Sequence, residues 1–306
     1  MKTSIHFRTL ILLLFLLPLG ASTQTAQVNK SLDKKVRKEI KNFKGKVALS
    51  AKNLDTGASY GVNENDWVRT ASTIKVPIMA ATFTFVAEGQ FKWDDELVLT
   101  KEKKVSGAGI LPEFGDGLRL TLRDAVHLMI TLSDNTATNL VLDHVTTDAV
   151  NDKLELFGFK VTRCLRKING GGESKLFYSD WNKKPDGNPS RYGIGVSTPR
   201  EMVELLEKIE RGEIVSPEVC KEMIGILKRQ QYHDGIARNV KEAEVATKPG
   251  ALDALRSDIG ILYTKRGRIA MAITCDDMPA IDWSVDNAGQ LLMARLSLLL
   301  IDGLGR

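Results

Sequence analysis

The sequence predicts an α+β fold: an antiparallel sheet built from both ends of the chain and flanked by helices, with an all-helical domain inserted between them. Three observations carry this. Strand-like runs rich in β-branched and small apolar residues lie near residues 46–62 and again over 244–274. The stretch between them carries helical spacing and helix caps, and no internal repeat breaks the chain into equal units. The economical packing places both strand groups in one sheet, giving a sheet domain of 24–66 plus 213–306 and a helical domain of 67–212, with a candidate active site at their interface.

Taken in order, Lys2 and Arg8 precede the apolar run 10–17, followed by Pro18 and the small residues Gly20, Ala21, Ser22 and Thr23. Residues 1–23 therefore read as a secretory signal peptide, and a secreted or periplasmic location is expected. The run is too short to span a bilayer, and Arg295 interrupts the last apolar helix, so no membrane span is expected in the mature chain. Residues 29–46 are helix-compatible, with Val36, Ile40 and Phe43 at helical spacing and Ser31 as the expected N-cap. Strands at 46–50 and 58–62 are joined through Asn53-Leu54-Asp55-Thr56-Gly57 as a hairpin. A helix over 67–89 carries Ser72 in its first turn and Pro77 within it, and 91–118 reads as loop. Thr121 caps a helix over 122–131, and Ser133-Asp134-Asn135 separates it from a second over 136–144. A further helix covers 148–157, and 160–200 is irregular; a loop of that length inside a compact domain is usually functional. Helices over 200–211 and 216–231, strands at 244–248, 258–263 and 268–274, and a helix over 288–300 complete the chain.

Composition narrows the function. The 306 residues, 43% hydrophobic and 26% charged, suffice for a substantial core. The net charge of +5 arises from 43 basic and 38 acidic residues interspersed along the chain, without a basic cluster interleaved with aromatics, so a solvated surface is expected and no nucleic-acid partner. Cys164, Cys220 and Cys275 are odd in number and scattered, which reads as buried small hydrophobes, one bridge being the alternative. His127, His144 and His233 have no partner at metal-ligand spacing, so no metal or cofactor is expected.

The chemistry centres on Thr70-Ala71-Ser72-Thr73-Ile74-Lys75. Residues three apart share a helix face, which brings the Ser72 hydroxyl within reach of the Lys75 amine. A lysine activates a serine only as the free amine, and burial lowers its pKa toward that form. Ser-x-x-Lys alone is weak; Ser31-Leu32-Asp33-Lys34 matches it too, in a charged stretch that fits a helix start. The order Ser72/Lys75, Ser133-Asp134-Asn135, Lys248-Pro249-Gly250 is far more specific.

That ordered set resembles the class A β-lactamases and the related penicillin-binding proteins. The likeness extends through Val105-Ser106-Gly107-Ala108-Gly109-Ile110-Leu111 and from Leu120-Thr121-Leu122-Arg123-Asp124 into Ser133-Asp134-Asn135-Thr136-Ala137-Thr138-Asn139, covering about residues 30–300. It implies the β-lactamase/transpeptidase-like fold and a serine hydrolase, a monomer without cofactor, acting on a β-lactam or peptidoglycan-like small molecule. The roles it implies agree with the chemistry. Ser72 is the nucleophile and Lys75 its base. Ser133 relays a proton to the leaving nitrogen, Asn135 binds the substrate amide, and Lys248 supplies positive charge. The N–H groups of Ser72 and Ala251 form an oxyanion hole, and Gly250, Ala251 and Arg256 line the substrate.

Two positions depart from the family pattern. Pro249 stands where the family has a hydroxyl residue that binds a substrate carboxylate, with Arg256 as a candidate compensating charge. The family also carries a glutamate in an Ω-type loop that activates the deacylating water; here Ile168 or Leu165 falls at that place, and Glu173, beyond Gly170-Gly171-Gly172, is the nearest acid. Acylation is thus expected with slow turnover. A D,D-peptidase, another amide or ester hydrolase, or a non-catalytic binding protein on the same fold are the alternatives.

Overall fold

The computed structural model describes residues 29–188 and 190–305; the signal-like segment 1–23 lies outside them. The elements are α1 (Lys30–Ile40), β1 (Lys46–Asn53), β2 (Ser59–Val62), β3 (Val68–Arg69), α2 (Lys75–Ala87), β4 (Glu96–Val98), β5 (Arg119–Thr121), α3 (Leu122–Thr131), α4 (Asn135–Val145) and α5 (Thr147–Leu156). They continue with β6 (Arg163–Cys164), β7 (Gly195–Ser197), α6 (Pro199–Glu210), α7 (Pro217–Leu227), β8 (Glu244–Leu252), β9 (Leu255–Thr264), β10 (Gly267–Asp276) and α8 (Ala288–Leu304).

The two ends of the chain do share one antiparallel sheet, of order β2-β1-β10-β9-β8. Its seam is the pairing of β1 with β10, from Lys46 opposite Asp276 to Asn53 opposite Ile269. Both sheet faces are covered, and the period of two sorts the residues of β10 between them. Ile269, Met271, Ile273 and Cys275 face α1 and α8, joining Leu49, Leu292, Leu296 and Leu300. Ala270 and Ala272 face the other way, into the core that runs through α2, α3, α4, α6 and α7. Small alanines there let α6 lie close over β1, β9 and β10.

α2 explains itself by its lack of amphipathicity. Every residue from Lys75 to Phe85 is buried, because the helix is surrounded by others, and a helix buried on all sides reads as apolar all round. The stretch expected as one helix over 67–89 is three pieces: the strand β3, a 3-10 turn Ala71–Ile74, and α2. Pro77 falls in the first turn of α2, where a missing donor costs little.

Other boundaries shift for local reasons. Asn29, not Ser31, caps α1, its Oδ1 accepting the Leu32 N–H at 3.1 Å. The helix stops at Ile40, leaving Phe43 to pack against the sheet core from outside it. Within 91–118, β4 pairs with β5, and α7 ends at Leu227 rather than 231. The irregular 160–200 segment is tied down by a small sheet of order β3-β7-β6, which anchors it to the strand preceding Ser72. The three cysteines are free and buried, and burial pushes the Cys164 and Cys275 thiols up to about 12. Among the described residues no helix is long and apolar enough to cross a membrane.

Candidate active site

The site begins where the backbone is strained. Ala71 adopts φ 46°, a left-handed conformation costly for a residue with a side chain, and the chain then enters the 3-10 turn. Residues three apart eclipse one another in such a turn, so Ser72 and Lys75 project from the same side. Ser72 is half-buried, and among the described residues its hydroxyl makes no hydrogen bond.

Lys75 is fully buried at the start of α2. Its Nζ donates to the Ser133 carbonyl at 2.6 Å and to Asn135 Oδ1 at 3.0 Å, and lies 3.2 Å from Ser133 Oγ. Lys248, equally buried on β8, reaches the same hydroxyl from the opposite side, with Nζ 2.9 Å from Ser133 Oγ and 2.7 Å from the Pro249 carbonyl. Ser133 is held between them by a left-handed turn of φ 54° between α3 and α4.

Two ammonium groups sharing one hydroxyl in a dry site oppose each other. Burial, reinforced by the Lys248 charge, drives the Lys75 amine well below the ordinary lysine range, with Asp134 opposing. Burial also brings Lys248 down to about 7, with the Asp258 charge opposing. Burial and the neighbouring Lys248 charge thus both favour the free amine on Lys75. A neutral Lys75 spends its two N–H groups on Ser133 O and Asn135 Oδ1 and keeps a lone pair free to accept a proton. Ser133 Oγ then accepts from Lys248 and keeps its own proton as a donor.

The scaffold around these groups is equally specific. Asp134 is fully buried and accepts three backbone N–H bonds, from Ala137 at 2.8 Å, Ile110 at 2.7 Å and Leu111 at 2.9 Å. It thereby caps α4 and clamps the 106–111 loop onto it. Asn135 donates to the Ser106 carbonyl at 3.0 Å, leaving Gly107 no room: a Cβ there would come within 2.6 Å of Asn135 Nδ2. On the sheet side, a Cβ on Gly250 would fall 2.9 Å from both the Ser72 nitrogen and the Thr70 carbonyl oxygen. Only glycine lets the edge strand β8 press against the turn, and this sets Ala251 beside it. The Ser72 N–H lies in the first turn, where a helix leaves its donors unpaired.

Two of the sequence-derived candidates are engaged elsewhere. Arg256 is buried, with Nη1 donating to the Leu252 and Leu255 carbonyls at 2.6 and 2.7 Å, Nη2 donating to the Asp282 carbonyl, and its guanidinium 4.6 Å over the Trp283 ring. It braces the β8–β9 hairpin against the 282–283 segment. Glu173 accepts the Gly171 N–H at 2.8 Å and is folded back on the glycine turn. The loop position facing α4 is Ile168, whose N–H and C=O both bond the Asn139 side chain, at 2.9 and 3.0 Å. Leu165 is fully buried in a cluster with Phe177, Tyr192 and Val196.

Sequence reasoning passed over two residues. Asn139 sits four residues after Asn135 and pins the loop; Asp258 is a lone acid in the otherwise buried strand β9, and that interruption of an apolar run was its signal. The histidines stand apart: His144 Nε2 lies 3.0 Å from Asp95, and His233 is in an exposed loop. Among the described residues no group of His, Cys, Asp and Glu could hold a metal ion.

The model of the Beta-lactamase enzyme family matches residues 31–304. The chain belongs to that family. A β-lactamase of Rhodobacter capsulatus is 26% identical over 262 residues, covering 82% of this chain and 83% of that protein. Among solved structures, the β-lactamase of Sphaerobacter thermophilus DSM 20745 superposes with a TM-score of 0.76 at 27% identity, covering 90% of this chain and 96% of that one. PBP-A gives the same TM-score of 0.76 at 25% identity, with 89% and 95% covered. This family member therefore has the fold of a β-lactamase-like serine hydrolase, and its buried lysines lie on the segments that carry the family's motifs.

Proposed function

We propose that the protein is an exported acyl-serine hydrolase that opens the β-lactam amide through an acyl-Ser72 ester and releases the product slowly. The observation that carries this reading is the convergence of Lys75 and Lys248 on the Ser133 hydroxyl, with Ser72 on the same side of the 3-10 turn as Lys75 and, among the described residues, no hydrogen bond on its hydroxyl. Neutral Lys75 takes the Ser72 proton as Oγ attacks the carbonyl carbon. The N–H groups of Ser72 and Ala251 receive the oxyanion, each worth about 3 kcal/mol in the transition state. Ser133 passes its proton to the departing nitrogen and is recharged from the lysine side. Asn135 Nδ2 turns from Ser106 to the substrate amide, and Lys248 attracts a carboxylate.

Release is the weak half. Ile168, held by Asn139, presents no carboxylate to activate water, and general-base help is typically worth about 10² to 10⁴ in rate. For the acylation half, a leucine-to-glutamate variant of the PBP-A neighbour is described as an acyl-enzyme complex with penicillin G, which favours a penicillin as the acylating compound. Pro249 and Ile168 together favour one second reading, a penicillin-binding D,D-peptidase acting on peptidoglycan.

The test incubates mature protein with a chromogenic cephalosporin and a penicillin, following colour and intact mass. An adduct on Ser72 that forms fast and clears slowly supports the proposal. A permanent adduct, with D-alanine released from a peptidoglycan stem peptide, supports the second reading. Neither adduct nor hydrolysis overturns both.

A further inference from the structure

We propose that the hollow left where β1 extends past the end of β2 is a binding site for a neutral pyranose sugar, separate from the cleft at Ser72. β2 ends at Val62, opposite Leu49, so Lys46, Val47 and Ala48 have no partner strand on that side among the described residues. The Asn63 side chain fills part of the gap, its Nδ2 donating to the Val47 carbonyl at 2.9 Å. What remains is a cavity of about 570 Å³ between this strand end, the 66–69 segment, Arg191, Tyr192 and the end of β10. That volume lies within the range of small-molecule sites. Thr274 lines the cavity and belongs to the rung formed by Gly250, Ser257, Thr274 and Ala48. It stands two strands from β8, which sets the cavity about 10 Å from the cleft edge.

The lining has the two halves that a sugar requires. One is an aromatic face. Trp67 is 43% exposed yet held in place: the Trp181 ring meets it edge-on, centroids 5.3 Å apart at 81°, and the Tyr192 ring lies at 6.1 Å. A ring already fixed by its neighbours loses little freedom when a ligand packs on it, and the C–H face of a pyranose suits the negative face of an indole. The other half is polar and balanced in charge. Arg69 pairs with Asp276, and Lys46 pairs with Asp277 at 2.9 Å. This leaves Asp66 and Arg191, one acceptor and one donor, without an ion-pair partner among the described residues. Arg191 is further oriented by Tyr192, whose ring centroid lies 5.1 Å from its guanidinium carbon. A charged ligand would meet three acids and three bases and gain no net attraction, whereas a hydroxyl both donates and accepts and can use either sign.

The site makes no use of Ser72 acylation, so its test stands apart from the proposed function. Saturation-transfer NMR with N,N′-diacetylchitobiose and with cellobiose, two neutral disaccharides, measures binding to the protein directly. A dissociation constant of about 0.1–10 mM is expected for so open a site. Preference for the first sugar assigns the ligand to acetamido sugars, and preference for the second assigns it to unsubstituted ones. Trp67→Ala is expected to weaken binding by about tenfold or more. Asp66→Asn and Arg191→Met should each weaken it by about three- to tenfold, through lost hydrogen bonds. All three side chains are exposed, so the variants are expected to fold, which circular dichroism verifies. Ser72→Ala should bind as the unmodified protein does. The proposal is overturned if neither sugar binds at about 20 mM, or if Trp67→Ala keeps its affinity within about twofold. Loss of binding in Ser72→Ala also overturns it, because the sugar would then lie in the cleft.

Discussion

The two sides of the candidate cleft are anchored alike and equipped differently. On one side, Lys75, Ser133, Asn135 and Lys248 form a polar network in which both lysines and Asn135 Oδ1 bond to other members of the site. On the other, the 165–174 loop is held just as firmly: Asn139 bonds both backbone groups of Ile168, Thr147 donates to the Gly172 carbonyl at 2.7 Å, and Lys167 pairs with Asp143 at 2.6 Å. Yet the residue it places over α4 is an isoleucine. Anchoring and chemistry are therefore separable: backbone bonds fix where a loop sits, and a single side chain decides whether it can activate water. Under the proposed function, the first side supplies acylation and the second withholds fast deacylation.

That contrast can be broken most severely at the nucleophile. Ser72→Ala is expected to lower acylation by about 10⁴-fold or more, with no adduct by intact mass, because no other group can form the ester. The opposite side is sharpened by Ile168→Glu, which puts a carboxylate at the position Asn139 holds. Decay of the acyl-enzyme is expected to quicken by about 10² to 10⁴, with acylation little changed. An unchanged decay rate would mean that something other than a missing base limits release.

Smaller effects test the anchoring itself. Asp134→Ala strands three backbone donors and should cost about 3 kcal/mol or more in urea unfolding, since each unpaired buried group costs about 1–3 kcal/mol. Lys248→Met tests the price of a dry lysine. The folded pKa of Lys248, about 7, is below the unfolded lysine value, so between them the unfolded chain binds the extra proton and stability rises with pH. The methionine variant should therefore gain most below that window, and its advantage should shrink by about 2 kcal/mol on going from about pH 6 to about pH 9. Gly250→Ala should cost about 1–3 kcal/mol and slow acylation, because the new methyl forces β8 away from the Ser72 turn.

Several of these residues were legible before any coordinates. The motif order named Ser72, Lys75, Ser133, Asn135 and Lys248, because side chains that meet on one substrate are carried by short, recognisable segments. The α+β arrangement was legible as well, since strands with apolar residues on both faces stand out at each end of the chain. Element edges were less so: the 67–89 stretch reads as one apolar run because α2 is buried all round, and that hides the strand and the 3-10 turn at its start.

By itself, the sequence determined which chemical groups are available, their order along the chain, and the absence of an acid among residues 161–169. Tertiary structure alone decided which of two hydrophobic residues, Leu165 or Ile168, lies over α4, and that the Arg256 guanidinium is spent on backbone carbonyls. The reason is physical. Local pattern records what a residue is and how its own segment folds, whereas desolvation and field depend on partners brought from more than a hundred residues away, as Lys248 is to Ser133.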